Sequence, residues 1–402
     1  MRRPLLLLLG LLASSPVLAK KVDLDYRVRL LPQSGQAEVR LTLADGSVVR
    51  SLDFDLGSEG AYSDFLADGQ WQVHEGRGVW RPAPGKTSLS YRVLLEQPRR
   101  GTAHETRITP QWALFRGDQL VPAARLDQQD GTELVSRLSF DLPDGWKSVE
   151  TAWPRIGRQK FRIDDVSRLF DRPTGWMLAG NLGSRRARLG ETEVSVVAPQ
   201  GQGMRRMDTL TLLTFVWPQL QAVFPRNPAK LLVVGARDQM WRGTLGGYNS
   251  LYLNSGQPLV SERGTSPVLR ELVQLFAQIN ARDDSDWLKE SLADYYATEL
   301  LRRAGGMSDD RYAALQARLH KLGAKVAHLR GAKADSAQVA RGVLLLQSLD
   351  REIRLHSQDK RSLDDVARAL MRLSSVSTAE FVQISENVLG RQSEVLQSKV
   401  LR

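Results

Sequence analysis

Two hydrophobic periods divide this chain. From residue 22 to about residue 168 apolar positions recur every second residue, as in Leu24, Tyr26, Val28 and Leu30, in Ala37, Val39, Leu41 and Leu43, and in Leu89, Tyr91, Val93 and Leu95. A period of two sends alternate side chains to opposite faces, so each run predicts a half-buried strand. Leu134, Val135, Arg137, Leu138 and Phe140 are read as one more strand. Asp-Gly pairs at 45–46, 68–69, 130–131 and 144–145 punctuate these runs as turns. Strands at this spacing predict an antiparallel β-sandwich or saddle.

Residues 170–180 read as a connection between two halves. Beyond it the period changes. Residues 193–197 and 230–235 predict strands, and 207–224 predict an amphipathic helix with Leu210, Leu213, Val216, Leu220 and Val223 inward. Pro218 inside that pattern predicts a kink or an early end, because proline removes a backbone donor and crowds the preceding turn. A short strand, 251–253, follows Gly246-Gly247-Tyr248-Asn249-Ser250.

From Ser266 to the end the pattern is helical. Ser266 suits an N-cap and Pro267 the first helical position, with Leu269, Leu272, Val273, Phe276 and Ile279 forming the buried stripe. The acidic loop 282–286 lacks the glycine and ligand spacing of a calcium loop and is read as a capping turn. Further helices are predicted over 309–329, 338–356, 363–373 and 378–389, with Ser362 and Ser377 as caps and Gly390 as a stop.

Composition changes this picture at the amino terminus and in the choice of compartment. Met1-Arg2-Arg3, the apolar run 5–12 and Val17-Leu18-Ala19 together predict a secretory signal peptide cut after Ala19, too short to span a bilayer. The expected location is the periplasm, or the medium, with no transmembrane span after cleavage. The chain has no cysteine, so disulfides and a lipidated amino-terminal cysteine are excluded. Its formal charge of +11 is spread as pairs such as Arg99-Arg100, Arg185-Arg186, Arg205-Arg206 and Arg302-Arg303 rather than as a block interleaved with aromatics. That pattern argues for solvated surface charge and against nucleic acid.

Candidate chemistry concentrates in residues 266–296, SPVLRELVQLFAQINARDDSDWLKESLADYY. Arg270-Glu271-Leu272-Val273-Gln274 has the spacing of a zinc-peptidase helix, where two His four residues apart share a face and a Glu beside the first serves as base. Only the Glu is present. Glu290 follows in Trp287-Leu288-Lys289-Glu290-Ser291-Leu292-Ala293-Asp294-Tyr295-Tyr296.

This stretch resembles the W-x-x-E-G-x-A-x-Y-Y helix of the glycyl aminopeptidase-like family of gluzincin (thermolysin-like) metallopeptidases, with Ser291 in place of the family's Gly. The resemblance implies an α+β fold. In it an amino-terminal β domain (20–168) follows the signal peptide (1–19), then come a thermolysin-like α/β domain of small mixed sheet plus helices (169–305) and a carboxy-terminal helical bundle (306–402). It implies that Glu290 occupies a metal-ligand position and that Gly246, Gly247, Tyr248, Asn249 and Ser250 form a substrate-binding edge whose amine-binding carboxylate is missing. It also implies that Val339 stands where relatives carry an oxyanion-binding Tyr. Val339 has no side-chain donor.

The resemblance thus predicts vestigial positions, Arg270, Glu271, Gln274, Glu290 and Val339, with no bound metal and zinc expected absent. Neither guanidinium nor neutral amide is a useful zinc ligand. Without zinc, Glu271 and Glu290 would repel each other across a cleft, so an Arg270–Glu290 ion pair is expected in the vacated place. His74, His104, His320, His328 and His356 lie outside the motif helices, with His320 and His328 expected on one helix. The function expected is a pseudo-aminopeptidase that binds a peptide or an envelope protein or serves as a scaffold. The alternatives are an active metallopeptidase with a non-standard or relocated metal site and a basic envelope-binding module.

Overall fold

The computed structural model describes residues 20–57, 59–98, 103–164, 170–237 and 239–401. The expected signal peptide, the Arg99-Arg100 pair and the 168/169 boundary lie outside the described residues. The architecture is α+β, with amino-terminal sheets, then a mixed sheet covered by helices, then carboxy-terminal helices.

Lys20–Leu31 runs through the middle of a seven-stranded sheet, flanked by Gln36–Leu43 and Thr132–Asp141. Its alternation is realised as expected: Leu24, Tyr26, Val28 and Leu30 are buried. It pairs antiparallel with Gln36–Leu43, Val28 opposite Val39, and parallel with Thr132–Asp141, Val28 opposite Phe140. In that last strand the inward set is Leu134, Ser136, Leu138 and Phe140, so Val135 and Arg137 belong to the other face. A four-stranded sheet of Ala124–Gln128, Val49–Asp55, Arg77–Pro82 and Gly69–His74 shares the same core through Leu52, Phe54 and Trp80.

A third sheet joins the halves of the molecule. It contains Trp112–Arg116, after which comes the one-turn helix α1 (Gly117–Leu120), and Trp176–Gly180, which pairs antiparallel with both Trp112–Arg116 and Ser148–Thr151. Residues 170–180 are therefore not a simple connection, since their second half is a fully buried strand. Its alternate residues serve two cores: Met177 and Ala179 face the amino-terminal core, whereas Trp176 and Leu178 pack with Val197, Leu232, Val234 and Tyr252. Burial on both faces explains why this run shows no apolar–polar alternation.

The mixed sheet has the order Leu182–Leu189, Thr192–Pro199, Lys230–Ala236, Ser250–Asn254, Thr244–Gly247. Its three central strands are parallel, and Thr244–Gly247 is an antiparallel edge joined to Ser250–Asn254 by a tight turn at Tyr248-Asn249. Helix α2 (Arg206–Val223) covers the far face and passes through Pro218 without ending. Pro218 is exposed, so water can take the Thr214 carbonyl that loses its intrahelical donor.

Helix α3 (Pro267–Ala277) starts where expected, with Ser266 Oγ accepting from the Leu269 N–H at 3.3 Å. Its expected stripe is buried. Helix α4 (Asp286–Arg303) begins after Ser285, but that hydroxyl makes no cap bond. It pairs with Thr378 Oγ1 at 2.8 Å, tying α4 to the far end of the chain. Helix α5 (Asp309–Gly323) stops short of the expected 329, so His328 does not share a helix with His320. A Cβ on Gly323 would stand 3.0 Å from the Arg341 backbone N, a close approach between α5 and the next helix. That helix, α6 (Ser336–Ser357), opens with an Asp335–Gln338 capping box. Helices α7 (Leu363–Leu370) and α8 (Thr378–Leu389) carry capping boxes on Ser362 and Ser377, and Gly390 closes α8 in a left-handed conformation.

Candidate active-site cleft

Helices α3 and α4 lie side by side, and their polar positions meet between them. On α3, Arg270 and Gln274 are one turn apart on one face, and on α4 so are Glu290 and Asp294. The Arg270 guanidinium fills the space between the helices. Its Nε donates to Asp294 Oδ1 at 2.7 Å, one Nη donates to Glu290 Oε2, and the other lies 3.5 Å from Glu271 Oε1. The ion pair expected from the sequence between Arg270 and Glu290 is therefore present, enlarged by Asp294. Gln274 Nε2 donates to the other Glu290 oxygen at 3.5 Å, and Lys289 Nζ lies 3.8 Å from it.

Glu271 is held from the opposite side. Its Oε2 accepts the Gly246 N–H of the edge strand at 3.1 Å, so both carboxylate oxygens have partners. Burial pushes the Glu271 carboxyl above the usual range, outweighing Arg270 and the Gly246 N–H, which favour the charged form. Burial raises Asp294 likewise, again against Arg270.

Zinc requires three or four neutral or anionic donors converging on one point. Here the group at the convergence is a permanent cation, Glu290 is spent on Arg270 and Gln274, and the Gln274 amide turns its N–H₂ toward Glu290. These residues do not fit a zinc ion. Among the described residues no group of three or more His, Asp or Glu is placed to hold a metal. His74 and His104 belong to the amino-terminal sheets, His320 to α5, His356 to α6 and His328 to the α5–α6 connection.

Seven of the ten expected site residues are distributed over two hollows. Arg270, Glu290, Asp294 and Val339 line a cavity of 450 Å³ whose other walls include Leu315, Leu319 and Val343. Gln274, Gly247, Tyr248 and Asn249 line a neighbouring one of 470 Å³ together with Arg226 and Met371. The hydrogen bond from Gln274 to Glu290 runs between the two sets. Ser250 belongs to neither: it is buried, and its Oγ accepts the Trp176 N–H at 2.8 Å. Tyr248 stacks on Trp153 with ring centroids 4.4 Å apart, and Asn249 Oδ1 accepts from Arg226 at 3.3 Å. Among the five edge residues, Gly246 meets the α3 carboxylate through its backbone N–H.

Ser291, where the resembled family has Gly, is fully buried and donates to the Val339 carbonyl at 3.2 Å. The room for it comes from the facing helix, since a Cβ on Gly342 would stand 2.1 Å from Ser291 Oγ. Asp294 was not singled out by the sequence. Its signal was the i, i+4 spacing from Glu290, which puts two carboxylates on one face of α4 against one arginine.

No protein-family model matches the sequence, and no curated protein matches it either. Solved structures do match. An aminopeptidase N family protein from Idiomarina loihiensis superposes with a TM-score of 0.66 at 16% identity, over 87% of this chain and 70% of that one. Aminopeptidase A of Legionella pneumophila, solved with aspartic acid, gives 0.56 at 14% identity over 96% of this chain. Leukotriene A4 hydrolase from Saccharomyces cerevisiae gives 0.55 at 14% identity over 94% of this chain. The fold is an aminopeptidase fold. At these identities the likeness is one of architecture. The chain spans 49% of the Legionella enzyme and 66% of the yeast hydrolase. Within this aminopeptidase fold, α3 and α4 are the helix pair whose polar faces the Arg270 cluster occupies.

Proposed function

We propose that the protein is a catalytically inactive relative of the glycyl aminopeptidase-like gluzincins, exported to the periplasm, where the retained cleft binds peptide or an envelope protein. The observation that carries this reading is the Arg270 guanidinium, engaged by Glu290, Asp294 and Glu271 between the two helices. A fixed cation there opposes a second cation, and Glu271, with both oxygens engaged, is poorly placed to take a proton from water. The 450 Å³ cavity beside it suits a peptide side chain, with Leu315, Leu319 and Val343 as apolar wall and carboxylates at one end. The domain division expected from the sequence belongs to the same reading, with the β part extended through Gly180 to include the shared strand.

One preparation tests the proposal. Protein recovered from the periplasmic fraction should begin at Lys20, carry no stoichiometric zinc and leave Gly- and Ala-terminated aminopeptidase substrates intact. Stoichiometric zinc together with turnover abolished by a chelator would overturn the inactive reading. Full-length protein retained in the cytoplasm would overturn the location.

A further inference from the structure

A further polar hollow lies away from the cleft, where the amino-terminal sheets meet the mixed sheet. Its centre is Glu150, on Ser148–Thr151, with a side chain only 6% exposed. Three cations share this one carboxylate. Arg186 donates to Oε1 at 2.7 Å, Arg155 to the same oxygen at 3.2 Å, and Lys230, 9% exposed, to Oε2 at 3.3 Å. Arg188 and Glu193 complete the charged lining of a 910 Å³ cavity. They are cross-strand neighbours, and Glu193 is in turn opposite Lys230, so Arg188, Glu193 and Lys230 form one row across the sheet.

Four cations against two carboxylates leave an excess of two positive charges in a recess with a nearly buried ammonium. Burying lysine is unfavourable unless its charge is matched, and one carboxylate divided among three cations matches it incompletely. Two of the cations are held in place. Arg155 also donates to the Val149 carbonyl at 2.8 Å and stands 4.8 Å over the Phe161 ring, and Lys230 is fixed by the strand it begins. Arg186 and Arg188 are exposed arms on the edge strand Leu182–Leu189, Arg186 reaching inward to Glu150 and Arg188 lining the rim beside it. Guanidinium forks suit oxyanions in bidentate contact. A carboxylate would supply a single negative charge, whereas a phosphate monoester supplies about −1.5 to −2 near neutral pH, which meets the excess.

We propose that this recess is a binding site for a phosphate-bearing anion, bridging the amino-terminal sheets and the mixed sheet through Arg155, Lys230, Arg186 and Arg188. The shared chemistry is a terminal phosphate, which can come from a soluble phosphate or from a lipid headgroup. The site is independent of the cleft and of its activity.

The test is calorimetric titration of the full mature protein with inorganic phosphate and pyrophosphate at fixed ionic strength. It is run alongside sedimentation with phosphatidylcholine vesicles that contain or lack phosphatidic acid. Saturable one-site binding is expected, weakened by about tenfold or more for each guanidinium removed in Arg186→Ala and Arg188→Ala. Arg40→Ala, an exposed arginine on the seven-stranded sheet, should leave binding unchanged. Capture only by phosphatidic acid vesicles, with the same sensitivity to both variants, assigns the headgroup as the source, and soluble binding alone assigns free phosphate. Absence of saturable binding in either arm overturns the site. Equal weakening by Arg40→Ala does so too, because it would mean diffuse charge.

Discussion

At the scale of single residues, the cleft is decided by one arginine and the carboxylates around it. Sequence spacing was enough to place Arg270 against Glu290, because both positions are fixed by their helices and an unpaired cluster of carboxylates would be costly. It did not reveal Asp294, whose role depends on which way the guanidinium turns, nor that Ser250 faces the Trp176 backbone. Those are matters of tertiary approach. Glu271 offers a direct check on the electrostatics. Its carboxyl is held above the usual range in the folded chain, so the folded state binds its proton more tightly than the unfolded state does. The stability it contributes is complete below the unfolded value and is lost as pH rises through the raised one. Glu271→Gln, which keeps an oxygen for the Gly246 N–H, should therefore be more stable than the parent at neutral pH. That advantage should vanish in acid below the ordinary carboxylate range. Urea midpoints of the two proteins across that interval test the sign, and a constant difference would refute it.

At the scale of elements, the sequence was most legible where one face is buried and one is wet. The strands Lys20–Leu31 and Gln36–Leu43 and the N-caps of α3, α7 and α8 were all readable, since local chemistry and tertiary role agree there. The readings that changed are elements whose tertiary surroundings differ from their local pattern: Trp176–Gly180, buried on both sides, and α5 ending at Gly323. The packing of α4 on α6 carries its own test. Gly342→Ala would drive a methyl into Ser291 Oγ, and overpacking of this kind costs about 1–3 kcal/mol. Adding Ser291→Gly should restore most of the loss despite glycine's own cost of about 1 kcal/mol inside a helix. Chemical denaturation of the two single variants and the double variant measures the coupling, and strict additivity would show that the two residues do not share the space.

At the scale of the whole molecule, the aminopeptidase fold is held as one body by a sheet that belongs to two cores. Trp176 is fully buried, its backbone N–H donates to Ser250 Oγ and its Nε1 donates to the Leu245 carbonyl at 3.0 Å. Trp176→Ala should cost about 3–5 kcal/mol, the range for deleting a large core aromatic. The loss should appear in a single transition seen alike by far-ultraviolet dichroism, dominated by the helices, and by tryptophan fluorescence, which draws on both halves. Separate transitions would mean that the two cores unfold independently.

The central place of Lys20–Leu31 bears on how the chain reaches this state. One neighbour is at hand within a few residues, but the other, Thr132–Asp141, is more than a hundred positions away in sequence. A chain synthesised amino end first therefore exposes an open, apolar strand edge until that distant partner arrives. Such long-range parallel pairing is slow, because loop closure must be achieved before any contact rewards it. Between emergence and closure the nascent protein is at its most prone to edge-to-edge association, and a holding chaperone would matter most in that interval.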